Sequence, residues 1–284
     1  MSAHRIGFMQ GRLSPLIDEK IQAFPWPCWR DEFQIAERCG LRLMEWTLDQ
    51  DRLYENPLMT AAGQKEIRHL CGRYGINIPS LTGDCFMQAP FYKAEDERRQ
   101  MLLKKNFIAV VEACAAVGIS MIVVPLVDNG RLENEVQEDG LVGFLEDSAD
   151  FFRKRTLSVI FESDFSPERY RRFIDRLEPG LFGINYDIGN SAALGYRPDE
   201  EIDAYGERIV NVHVKDRKLG GTTVPLGDGN ADFDRVFSLL ARIGYQGNFI
   251  LQTARAMDND HAAILCRYRD MTEDWLRRSS HHAT

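Results

Sequence analysis

Four polar residues stand where apolar runs stop. "LSVIFE" ends on Glu162, "FGINYD" on Asp187 and "GNFILQ" on Gln252, while "IVNVHV" carries His213 one place before its end. Two carboxylates, an imidazole and an amide oxygen suit one divalent ion such as Mn²⁺, Mg²⁺, Co²⁺ or Zn²⁺. A single polar residue at a strand end often only caps a loop. Four of them on successive runs argue for a shared centre, with Glu162, Asp187, His213 and Gln252 as its ligands. Such an ion is a Lewis acid, and a carboxylate beside it can move a proton. Glu162 is the obvious base. Lys215 and Asp216, just past His213, are candidates for a second acid/base group, or else plain loop charges.

These residues can meet only if the runs are neighbours, so the elements matter. Eight strand runs occur: "RIGFMQ", "LRLMEW", "INIPSL", "ISMIVVPLV", "LSVIFE", "FGINYD", "IVNVHV" and "GNFILQ". Stretches of helical spacing lie between them, among them "DEFQIAERCG", "KKNFIAVVEACAAVG", "FLEDSADFFRKR", "PERYRRFIDRLE" and "DFDRVFSLLARIG". The sixth helix, around "PDEEIDAYGE", is the shortest. Gly40, Gly75, Gly118 and Gly244 stand where helices should close before the next strand. Strands alternating with helices imply a parallel sheet, and eight units imply a closed (β/α)₈ TIM barrel. The rival, an open doubly wound sheet, usually carries a glycine-rich phosphate turn after its first strand, and "MQGRLSP" is not G-x-G-x-x-G. No proline- or serine-rich linker divides the chain, so residues 1–284 read as a single domain. In a parallel barrel the active site lies at the C-terminal rim of the strands, where all four donors fall.

Other strand-end residues share that rim. Arg12, Lys215, Arg217 and Arg255 follow strand ends, and guanidinium forks suit phosphate or carboxylate, so an anionic small molecule is the expected substrate. Glu45 and Asp84 close the second and third runs and are placed to bind substrate hydroxyls or to orient a neighbour. The polar tail "SSHHAT" reads as frayed, its histidines belonging to no strand end.

The motifs "FES", "YDIGN", "NVHVKDR" and "PLGDGNADF" resemble the xylose isomerase-like TIM barrels, the sugar phosphate isomerase/epimerase group that also includes endonuclease IV. The resemblance runs along nearly the whole chain. It implies a divalent-metal-dependent isomerase or epimerase of a sugar or sugar phosphate, acting by proton abstraction next to a carbonyl through an enediolate. Tagatose and psicose epimerases of the group hold the metal with Glu, Asp, His and Glu; Glu162, Asp187 and His213 match the first three, and Gln252 replaces the last. Those enzymes also carry a His three residues after the Asp, where this chain has Asn190, placed to meet substrate. Arg217 is the nearest match to an Arg that contacts the sugar there. Trp26, with Phe24 and Trp29 in the long first loop, could stack on a sugar face or simply pack on the barrel. An amide cannot accept a proton at working pH, so Gln252 shifts weight toward single-base reactions: aldose–ketose isomerisation, or elimination by a lyase or dehydratase acting on an oxidised sugar. A barrel that binds sugar without catalysis is a further alternative. An endonuclease IV-like phosphodiesterase needs a three-metal cluster rich in His, whereas only His213 of six histidines lies on a strand end.

Bulk properties agree with an ordinary soluble globular protein, 44% apolar and 27% charged. A net charge of −8 argues against a nucleic-acid binder. No apolar run is long enough for a signal core or a membrane span, so the expected location is cytoplasmic, with no membrane partner. The six cysteines show neither zinc-site spacing nor any close pair; Cys85 alone lies beside a strand end. A homo-oligomer is left open.

Overall fold

Runs dense in β-branched and aromatic residues must pair their backbone groups sideways once buried, and here they do so with one another. The protein is described by a computed structural model over residues 5–17 and 19–280. Its strands are β1 (Ile6–Met9), β2 (Leu43–Thr47), β3 (Asn77–Thr82), β4 (Met121–Leu126), β5 (Ser158–Ser163), β6 (Phe182–Asp187), β7 (Ile209–Val214), β8 (Asp216–Arg217), β9 (Thr223–Val224) and β10 (Asn248–Leu251). Eight of them close into a parallel barrel in the order β1-β10-β7-β6-β5-β4-β3-β2. The alternation of strand and helix thus gives the (β/α)₈ barrel that the sequence pattern predicts. No helix among the described residues is long and apolar enough to cross a membrane.

The helices form for local reasons and stay for packing. In the longest, Glu97–Val117, the Asp96 side chain accepts from the Arg99 amide at the start, and Gly118 takes a left-handed cap at φ 88°. Its buried residues Leu103, Phe107, Val110, Val111 and Cys114 recur at helical spacing and face the barrel. Gly40, Gly75 and Gly244 also have positive φ, at 69°, 64° and 69°.

Four local features depart from the sequence pattern. "FLEDSADFFRKR" is not one helix; a helix ends at Asp147 and a short one, Ala149–Lys154, restarts after Ser148. The sixth unit gains a helix, Ile188–Leu194, ahead of the expected short one at Pro198–Tyr205. The β8–β9 hairpin and the short helix Asp84–Gln88 carry too few residues to show a period. The tail histidines, His281 and His282, lie outside the described residues.

The rim end of the barrel interior is polar. Glu45, Ser80, Thr82, Asn185, Asn211 and His213 are all at most 2% exposed. Alternation along each strand turns them inward while Met44, Trp46, Tyr186 and Val212 face the helices. Buried polar groups are tolerable only when they bond one another. Here Ser80 Oγ and Thr82 Oγ1 donate to Glu45, and Asn211 Nδ2 donates to Glu45 Oε2 (3.1 Å) and Asn185 Oδ1 (2.8 Å).

Candidate metal centre and active site

Strand register brings the donors to one height. β6 and β7 pair Asp187 with His213, and β7 and β10 pair His213 with Ile250, two residues before Gln252. Glu162 stands near the end of β5, opposite Pro125 of β4. The result is a buried trio, Glu162, Asp187 and His213, with one ligand atom from each lying within 4.8 Å of the others. His213 Nδ1 is 3.1 Å from Glu162 Oε2 and 3.8 Å from Asp187 Oδ2, yet makes no hydrogen bond.

The other ring nitrogen explains why Nδ1 is left over. His213 Nε2 lies 2.7 Å from Glu45 Oε1, and both side chains are fully buried. Burial alone would raise the Glu45 pKa, but the His213 charge and the hydrogen bonds of His213, Ser80 and Thr82 hold it below the usual carboxylate range. An ionised Glu45 holds a proton on Nε2 and aims Nδ1 between Glu162 and Asp187, where Nδ1 could exchange its own proton for a metal ion, the arrangement metal-binding histidines need. The trio also calls for positive charge. Burial would lower the His213 pKa, yet Glu45, Asp187 and Glu162 raise it well above the ordinary histidine value. By donor type, orientation and charge demand, these residues fit a divalent cation.

Glu162 is fixed by two amide donors, Asn185 Nδ2 to Oε2 (3.0 Å) and Asn190 Nδ2 to Oε1 (2.6 Å). Asp187 caps the next helix, its Oδ1 accepting from the Asn190 amide (2.8 Å), while Oδ2 accepts from Lys215 Nζ (2.8 Å). Burial would raise the Asp187 pKa, but Lys215 and His213 hold it well below the carboxylate range. Lys215 Nζ donates also to Gln252 Oε1 (2.9 Å), and Gln252 Nε2 donates to Gln22 Oε1 (3.0 Å). Gln252 Oε1 thus already accepts from the cation that holds Asp187, with its second lone pair left for another donor or an ion.

Above the trio lies a cavity of about 440 Å³. Of the residues singled out from sequence, Arg12, Asp84, Glu162, Asn190, Lys215, Arg217 and Gln252 line it. Burial pushes Asp84 up to about 7, against a hydrogen bond from Gln22 Nε2 (2.7 Å). Arg217 spends its donors on Gly221 O and on Asn190 Oδ1 (2.8 Å), so that Asn190 joins Arg217 to Glu162.

Two expectations are corrected and two alternatives are decided. Glu45 takes the second of its two readings: sealed inside the barrel, it faces no substrate and orients a neighbour, His213. Asp216 does not face the cavity as an acid/base group: it is buried, and its carboxylate accepts from the amides of Gly227 (2.9 Å), Gly229 (2.9 Å) and Ala231 (3.1 Å), pinning that loop. Trp26 is outside the cavity lining, with its ring under the Arg52 guanidinium at 3.9 Å and against Phe24 at 4.9 Å. Phe24 and Trp29 are buried with Trp46, because aromatic surface gains more there than at a wet rim. Arg255 turns away and binds the carbonyls of Gly11 (2.7 Å), Ser14 (3.2 Å) and Ile21 (2.5 Å). The unforeseen members are Gln22, from a loop without period, and Arg131 and Asp164, an ion pair at the cavity wall. Asp164 stands one residue past β5, a position that would have flagged it.

Known proteins resemble this chain along most of its length. Residues 33–270 match the family model described as xylose isomerase-like TIM barrel. L-ribulose-5-phosphate 3-epimerase UlaE of Escherichia coli is 27% identical over 254 residues, spanning 86% of this chain and 88% of that protein. Among solved structures, IolI with a bound zinc atom superposes with a TM-score of 0.74 at 17% identity, covering 97% of this chain and 99% of that one. The apo form of 3-keto-D-glucoside 4-epimerase YcjR from E. coli gives 0.68 at 19% identity, covering 96% and 99%.

Proposed function

This chain belongs to the xylose isomerase-like TIM barrel family, and on that premise we propose a carbohydrate isomerase or epimerase that works with one divalent metal ion. It moves a proton at a carbon beside a carbonyl. The observation that carries this reading is the unpartnered Nδ1 of buried His213, aimed between Glu162 and Asp187 while Glu45 holds Nε2. The epimerase names of UlaE and YcjR support the reaction class, and the zinc of IolI supports the cofactor.

Glu162, Asp187 and His213 would hold the ion, with Gln252 as a fourth donor. When bound, the ion supplies Lewis-acid polarisation of the substrate carbonyl. Glu162, at the cavity wall and steadied by two amide donors, takes the proton from carbon and returns it. Asp84, Asn190 and Arg217 bind and orient the sugar from the walls. Gln252 cannot accept a proton, so single-base chemistry is favoured and elimination by a lyase is the second reading. Epimerisation would need Lys215 as the partner group.

Two measurements test this. Purified wild type should carry about one divalent ion per chain, and His213→Ala none, with the fold intact by circular dichroism. In D₂O the wild type should wash deuterium into a ketose or aldose of a sugar panel, and Glu162→Gln should not. Equal metal content in both proteins would end the proposal, and loss of water from substrate instead of exchange would favour the lyase.

A further inference from the structure

We infer that the substrate carries a carboxylate on, or one carbon from, the reacting centre, and that Arg12 receives it. This rests on the proton-transfer reading, which fixes where the reacting carbon lies. Arg12 is 3% exposed and lines the cavity. Its bonded acceptors are neutral, Ile21 O (3.1 Å) and Gln22 Oε1 (3.2 Å), and its Nε is buried without a partner. Among the described residues no carboxylate lies in ion-pair contact with it, although a buried charge normally has one. Burial and the nearby Arg255 charge pull its pKa down to about 9, against the weaker opposing pull of Asp84, Glu32 and Asp187, none of which touches it. Of the other cations at the cavity, Arg131 pairs with Asp164 and Lys215 with Asp187; Arg217 also meets neutral acceptors, Gly221 O and Asn190 Oδ1, but both its Nη atoms and its Nε are bonded, whereas Arg12 Nε is not.

The turn that presents Arg12 is built from both sides. Glu32 accepts the amides of Gly11 (2.9 Å) and Leu13 (3.0 Å), while Arg255 binds the carbonyls of Gly11 and Ser14. Gly11 sits at φ +90°, and a Cβ there would press on Ala23 O at 3.2 Å and Arg255 Nη2 at 3.3 Å. Holding a guanidinium that has no direct ion-pair partner this rigidly is preorganisation for an anion.

Position narrows the anion to a class. Arg12 shares the cavity wall with Glu162 and is near enough to Asp187 of the trio for the two charges to act on each other directly. A phosphate at the far end of a five- or six-carbon sugar lies several bonds from the carbonyl, whereas a carboxylate of a keto acid is its neighbour. The guanidinium fork matches a carboxylate in bidentate fashion. Neutralising that carboxylate also lowers the cost of developing negative charge on the adjacent carbon.

Three achiral probes remove stereochemistry from the test: hydroxypyruvate, dihydroxyacetone phosphate and dihydroxyacetone, titrated by calorimetry into magnesium-loaded protein. Hydroxypyruvate should bind at least about tenfold tighter than either other probe, and Arg12→Gln should erase a preference of about ten- to a hundredfold. Arg12→Lys, which keeps the charge but loses the fork, should retain part of it. Tighter binding of dihydroxyacetone phosphate, equal binding of all three, or a preference that survives in Arg12→Gln would overturn the inference. If Arg12→Gln fails to fold, the wild-type ranking and Arg12→Lys decide. Failure of the underlying reading looks different, since it appears as unchanged metal content in His213→Ala.

Discussion

The two ring nitrogens of His213 divide their work, Nε2 toward Glu45 and Nδ1 toward Glu162 and Asp187. Glu45 therefore acts on any bound ion through the imidazole, without touching it. Removing such a carboxylate typically weakens metal binding about ten- to a hundredfold. Glu45→Ala should show that loss by calorimetric metal titration, and Glu45→Gln, which can still accept from Nε2, a smaller one. Unchanged affinity in Glu45→Ala would mean that packing alone holds the ring.

At the scale of elements, the loops after β7 and β10 are fastened by groups that look catalytic in sequence. Asp216 begins the hairpin strand β8 and accepts three amides of the segment 227–231, fixing that segment beside Arg217. Asp216→Ala leaves those donors without partners, at about 1–3 kcal/mol each where they stay buried. The expected outcome is a lower melting temperature and faster hydrogen exchange at residues 225–231. The pH–rate limb of the catalytic base should not move, because Asp216 faces amides rather than substrate. A lost ionisation in the rate profile with unchanged exchange would restore it as a proton carrier.

For the whole molecule, closure of the barrel joins the first strand to the last. Arg5, just before β1, donates to Gly247 O (2.9 and 2.6 Å) and Tyr245 O (3.1 Å) just before β10, with its guanidinium 5.5 Å from the Tyr245 and Phe249 ring centroids. This end of the barrel is opposite the active rim, where side chains serve stability. Arg5→Ala should cost roughly 1–3 kcal/mol in urea unfolding while metal content stays at the wild-type level. A variant that keeps its stability but loses metal would contradict that separation of ends.

Local pattern alone was enough for the eight strands, their order with the helices, the barrel, and the placing of Glu162, Asp187 and His213 at one rim. Strand ends in a parallel barrel converge whatever the loops do, so a residue's place on its strand already says where it will stand. Tertiary structure decided which neighbouring polar groups find partners. Glu45 and Asp216 look like active-site carboxylates by position, yet one meets a histidine across the barrel and the other meets three amides of a later loop. Arg12 and Arg255 look alike in sequence, but Arg255 reaches the carbonyls of the first loop, and of the two only Arg12 lines the cavity. Such contacts join residues up to 244 positions apart, and no local periodicity records them.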